Sequence, residues 1–228
     1  MSKRLLALAL LLPTTLAAAE RRETITDFDR IRVEGGFDVQ VTTGRATSLV
    51  VTGTSAAIEA TSVAVSGRTL VIRRRASASP ADRNVGASII RVTTPALFDA
   101  QLIGSGRLRV DRMRGQRASV ALSGSGAVAV QSIVADRGDI TLQGSGAVAA
   151  AGTVATLRIV GQGSGGIDAG RLMAADLTAV SDTSGTLVMA ARRSARVTAT
   201  GSGAVTVAGS PACTVTNTGS GSVACGAR

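Results

Sequence analysis

The chain is 228 residues long, carries a net charge of +10, and contains no His, no Tyr and no Trp. Without histidine it lacks the commonest general base and the commonest zinc ligand. Its three Phe leave few rings on which nucleobases could stack, so a nucleic-acid partner is not expected. The basic charge reads as a solvated surface, because the arginines are scattered apart from Arg73-Arg74-Arg75 and Arg192-Arg193; an acidic glycan is the alternative contact.

Residues 1–19 have the form of a secretory signal peptide. Lys3 and Arg4 begin it, residues 5–12 are an apolar run, and Ala17-Ala18-Ala19 offers a small-residue cleavage site. The run is too short to cross a bilayer, which takes about 20 apolar residues. No later stretch reads as a transmembrane segment. The expectation is an exported protein of the bacterial periplasm or cell surface, with residues 20–228 as one domain.

Residues 20–97 form a β-rich section without an obvious repeat. Short β-branched runs are punctuated by glycine at 31–33, 37–41, 49–51, 63–65, 69–72 and 89–92. Ser66-Gly67-Arg68 predicts a hairpin or tight corner over 63–72, residues 76–88 read as an exposed loop, and Pro95 marks a corner.

From residue 98 a three-residue tick recurs. It reads Gly104-Ser105-Gly106, Gly124-Ser125-Gly126, Gly144-Ser145-Gly146, Gly163-Ser164-Gly165, the degenerate Thr183-Ser184-Gly185, Gly201-Ser202-Gly203 and Gly219-Ser220-Gly221. The steps are 20, 20, 19, 20, 18 and 18 residues. A period of this length is a supersecondary unit that cannot bury its own apolar face, so copies must stack. Apolar residues alternate on both sides of each tick, as in Val120 and Leu122 before the second and Val128 and Val130 after it. A period of two means that one half-buried strand enters the glycine corner and another leaves it. The fold class expected is all-β, a parallel β-helix or solenoid with rungs of about 20 residues. Antiparallel hairpins with Gly-Ser turns are the alternative.

Cys213 and Cys225 take matching inward positions, six residues before and six after Gly219. In an exported chain, a lone pair within one terminal unit reads as a disulfide that closes the last rung. The central serines Ser105, Ser125, Ser145, Ser164, Ser184, Ser202 and Ser220 would form a polar ladder along one edge. That ladder is either a plain corner or a strip against which a glycan or another subunit could lie. Seven equivalent serines do not read as a catalytic nucleophile, which should be singular, and no catalytic residue is expected. By count, Asp136 and Asp176 share a phase two repeats apart with Thr156 between them. Two rungs span about 9–10 Å, too far for a shared ion. No metal or cofactor is expected.

Taken together, the strand at Phe37-Asp38-Val39-x-Val41, the strand Thr69-Leu70-Val71-Ile72, the Pro95 corner and the serial ticks resemble the bacterial auto-transporter adhesin head GIN domain family. The resemblance covers about residues 25–225. It implies a β-helix-like fold similar to pectin lyases but without their catalytic residues, and a role in cell adhesion. Thr183-Ser184-Gly185 departs mildly from that family's Gly-x-Gly or Gly-x-Asn pattern. The function expected is therefore a non-enzymatic adhesion or interaction module of the cell envelope, meeting a cell-surface glycan or another envelope protein, with homo-oligomers allowed. A polysaccharide-active enzyme on the same scaffold, or a purely structural periplasmic protein, are the alternatives.

Overall fold

The computed structural model describes residues 19–75 and 88–227. The expected signal peptide lies outside these residues except for Ala19, as does the expected loop except for Ser88. Ser88 is buried rather than exposed, with its hydroxyl 3.1 Å from the Ala57 carbonyl and 3.2 Å from the Thr61 hydroxyl.

The N-terminal section supplies β1 (Ala19–Glu23), β2 (Arg30–Glu34), β3 (Asp38–Thr43), β4 (Ser48–Gly53), helix α1 (Ser55–Glu59), β5 (Thr61–Ser66), β6 (Thr69–Arg74) and β7 (Ile89–Thr94). The predicted hairpin is present, with β5 and β6 antiparallel across Gly67 (φ +52°) and Arg68 (φ +65°), the paired left-handed geometry of a tight hairpin turn. The helix has no counterpart in the sequence reading. Thr54 caps it by accepting a hydrogen bond from the Ala57 amide at 3.2 Å.

The repeat section follows with β8 (Asp99–Gly104), β9 (Arg107–Val110), β10 (Met113–Gly124), β11 (Ala127–Gly144), β12 (Ala147–Gly163), β13 (Gly166–Thr183), β14 (Leu187–Ala199), β15 (Val205–Ala208), β16 (Ala212–Asn217) and β17 (Val223–Ala227). Neighbours pair in parallel one period apart: Leu122 lies between Leu102 and Leu142, and Val128 between Leu108 and Val148. The result is a parallel β-solenoid of about 6 turns with rungs about 20 residues apart. Within a rung the alternation slips at residues 131–132 and again at 136–137, where two successive residues turn outward. These bends, with the glycine tick, give each coil three faces.

Core packing follows the predicted phase. Val120, Leu122, Val128, Val130, Ile140, Leu142, Val148, Ile167, Leu187, Met189, Val205 and Val207 are all buried. Residue size is exchanged across the tick. Before it, the column Leu102, Leu122, Leu142 gives way to Gly161 and Ser181, while after it Val128 and Val148 give way to Ile167 and Leu187. A Cβ on Gly161 would stand 3.4 Å from both Leu187 methyls, so the small residue makes room for the larger one and the interior stays close-packed.

The rungs do not stack in chain order at the N-terminal end. The pair β2–β3 lies between β6–β7 on one side and β8–β9 on the other, all parallel. Beyond β6 and β7 the stack is closed by antiparallel strands, β5 on β6, β4 on β7 and β1 on β4. An open edge of a β-stack is a template for aggregation, and the short outer strand β1 blunts it with the charged side chains of Glu20, Arg21, Arg22 and Glu23.

At the other end, Cys213 stacks on Ala195 and Cys225 on Val207, and the two form a disulfide. Both keep the inward phase, but β16 is exposed throughout, with no further rung over it among the described residues. Reducing this bond is expected to lower stability by about 3 kcal/mol, the usual worth of closing a loop of this size. Urea denaturation with and without reductant measures it, and coincident curves would show that the bond does not hold the last rung.

Candidate functional site

The tick is built by two glycines with different tasks. At the first position, Gly124 has φ +124°, a conformation that side chains rarely adopt. At the third, Gly126 meets the rung below so closely that a Cβ would stand 2.5 Å from the Gly106 carbonyl oxygen. Between them, the amides of Ser125, Ser145, Ser164 and Ser184 bond down the stack, as in Ser125 to the Gly104 carbonyl at 3.1 Å and Ser145 to Gly124 at 3.1 Å. Thr183 can replace a glycine because the first tick position leaves the positive-φ region from that rung on. Its hydroxyl donates to the Gly165 carbonyl and accepts from the Gly185 amide.

All seven tick serines are exposed. The Ser184 hydroxyl reaches the Gly163 carbonyl at 3.4 Å; the other six make no side-chain hydrogen bond to the described residues. The ladder also begins one rung earlier than the sequence suggests. Gly35-Gly36-Phe37 stacks beneath Gly104-Ser105-Gly106, with the Gly106 amide bonded to the Gly35 carbonyl at 3.1 Å and Arg107 to Phe37 at 2.7 Å. The section before residue 98 therefore contains a tick after all. It escapes notice because its third residue is Phe, although two glycines directly after a strand were the available signal.

The acidic residues fall differently from the expectation. Asp176 stacks on Thr156, and Thr156 stacks on Arg137 rather than on Asp136. The cause is a bulge. One residue is lost between the pairs Val130–Ala150 and Ile133–Gly152, where Gly152 takes φ +127°. Among the described residues no group of three or more His, Cys, Asp or Glu converges to hold a metal ion, and no helix is long and apolar enough to cross a membrane.

Many arginines are engaged locally: Arg109 bonds Asp38 at 2.9 Å, Arg117 bonds Asp139 at 3.2 Å, Arg68 bonds Asp29 at 2.7 Å and Arg32 bonds Glu34 at 2.7 Å. A separate groove of about 530 Å³ opens at the foot of the repeat section, lined by Asp29, Arg30, Phe98, Asp99, Gln116 and Arg117 among others. Burial pushes the Asp99 carboxyl up from its ordinary value, against the pull of the Arg30 charge and the Ser119 hydroxyl. Nothing in the local sequence announces this groove.

Residues 27–211 match the family described as "Putative auto-transporter adhesin, head GIN domain". The chain belongs to this family. Solved structures share this fold. A putative adhesin from Bacteroides fragilis is 24% identical with a TM-score of 0.84, over 92% of this chain and 97% of that one. A putative lipid binding protein from Parabacteroides distasonis is 21% identical with a TM-score of 0.70, over 90% and 95%. A putative adhesin from Parabacteroides merdae is 16% identical with a TM-score of 0.70, over the same shares. At these identities the likeness establishes the fold. No curated protein matches the chain.

In this head GIN domain one ion pair has a measurable pH signature. Arg193 binds both oxygens of Asp176, and the Ser194 hydroxyl donates to the same carboxylate at 2.7 Å. The Arg193 hydrogen bonds, then that of Ser194, lower the Asp176 carboxyl from 3.8 to about 2. A depressed carboxyl stabilises the fold above its unfolded value and loses that effect as pH falls from 3.8 towards about 2. Asp176→Asn is therefore expected to be less stable than the parent at pH 7 and nearly equal to it at pH 2. Urea denaturation at the two pH values checks this, and an equal gap at both would refute it.

Proposed function

We propose that the chain is an exported, non-enzymatic adhesion module of the bacterial cell envelope, and that the serine corner is its contact strip. The supporting observation is the line of seven exposed serines, one per rung, whose hydroxyls the fold leaves almost entirely unused. The glycines are demanded by the turn, whereas the serine side chains are not. Stacked coils repeat the same hydroxyl about every 4.8 Å, so weak contacts to a polar surface can add along the edge. Membership in the adhesin head family supports the same reading.

The triple variant Ser125→Arg, Ser164→Arg, Ser202→Arg places bulk and charge on alternate parts of the strip without touching the core. Binding of beads coated with the protein to bacterial cells is expected to fall by at least about tenfold, as when central contact residues are lost. Unchanged adhesion with intact folding would reduce the ladder to a structural corner.

A further inference from the structure

The groove at the foot of the repeat section gathers groups that the serine strip does not use. Phe98 is 37% exposed, while Phe28 and Phe37 are 1% and 4% exposed. Its ring lies directly against Gly115, where a Cβ would stand 2.8 Å from the Phe98 Cε1; the missing side chain is what admits the ring. The carboxylates of Asp29 and Asp99 stand in the same groove with Gln116, Arg30 and Arg117.

Each cation there has a carboxylate neighbour. Arg117 is paired with Asp139, and Arg30 lies 3.9 Å from Asp29 Oδ1, at ion-pair distance but beyond a hydrogen bond. Arg68 holds the other oxygen of Asp29. The acceptors are less well provided for: Asp29 Oδ1 is buried with no hydrogen-bond donor among the described residues, and such an atom carries a desolvation cost until a donor arrives. Burial also disfavours the Asp99 charge. A fitting ligand brings hydroxyl donors for two carboxylates and an apolar face for one ring. A sugar ring has both, whereas an anionic sugar would meet like charge.

We propose that this groove binds a neutral pyranoside, with its C–H face on Phe98 and its hydroxyls donating to Asp29 and Asp99. The inference builds on the adhesion reading by naming a ligand class, and it places that ligand away from the serine corner.

Composition makes the test direct. With no Tyr, Trp or His, the aromatic side-chain proton signals come from three phenylalanines, and Phe98→Leu identifies the ring in question. The folded protein is titrated with methyl β-glucopyranoside, methyl α-mannopyranoside, methyl β-galactopyranoside and N-acetylglucosamine, and separately with glucuronate. At least one neutral sugar is expected to shift the Phe98 signals saturably, with a dissociation constant on the order of a millimolar, and to leave Phe28 and Phe37 unmoved. Asp99→Asn should weaken that binding about tenfold, the loss of a hydrogen bond to a charged acceptor, and glucuronate should leave the ring unaffected. A Phe98 ring silent to all four neutral sugars overturns the proposal. So does a response to glucuronate of equal strength, or undiminished binding by the Asn variant. Cell adhesion by the same protein is scored separately, so adhesion with a silent ring removes the groove site and leaves the adhesion reading standing.

Discussion

Gly146→Ala is expected to destabilise the protein by about 3–4 kcal/mol, at the upper end of single substitutions, while Ser145→Ala should change stability by no more than about 0.5 kcal/mol. The added methyl at Gly146 would stand 2.4 Å from the Gly126 carbonyl oxygen and 2.7 Å from Leu122 Cδ2. Neither can yield cheaply, because the Gly126 oxygen accepts the Ala147 amide at 3.0 Å and Leu122 is fully buried. Relief requires spreading the rungs, which breaks hydrogen bonds on both sides of the corner. The Ser145 side chain is exposed and unbonded, so its loss touches nothing. Chemical denaturation of the two variants beside the parent measures the contrast. Equal effects would mean that the corner does not depend on close backbone approach.

Leu122→Ala should cost about 3 kcal/mol or more. Leu122 is 1% exposed, stacked between Leu102 and Leu142 on adjacent strands. Truncation forfeits the transfer energy of the lost methyl groups and leaves a cavity in a backbone that hydrogen bonds hold on both sides. Such a ladder cannot collapse readily onto the void, which places the expectation in the middle of the usual Leu→Ala range of about 2–5 kcal/mol. A loss below about 1 kcal/mol in urea denaturation would argue that the interior is loosely packed.

The repeat section was legible because its physics is local. A strand alternates with period two, a glycine corner recurs with each coil, and inward residues follow from counting outward from the tick. The same count placed Cys213 and Cys225 in facing columns. What stayed hidden depends on contacts without a period. The position of β2–β3 between β6–β7 and β8–β9 brings Val33 beside Ile72 and Leu102, and alternation alone does not choose between stacking orders. The 19-residue step shows that a residue is lost, but not where, so a plain count of 20 aligns Asp136 with Asp176. Gly152, isolated within a strand pattern, was the mark of that bulge. The groove was out of reach for the same reason: Asp29, Phe98 and Gly115 meet only after the N-terminal rungs have taken their places.

The serine strip, the core columns and the disulfide all require parallel coils in register. Scalar couplings across backbone hydrogen bonds, read by nuclear magnetic resonance on the isotope-labelled chain, report that register directly. The amide of Ser145 should couple to the carbonyl of Gly124, that of Ala147 to Gly126, and that of Ser164 to Gly144. Couplings instead between residues flanking a single tick, such as Ser123 with Ala127, would make each tick a hairpin turn and contradict the solenoid.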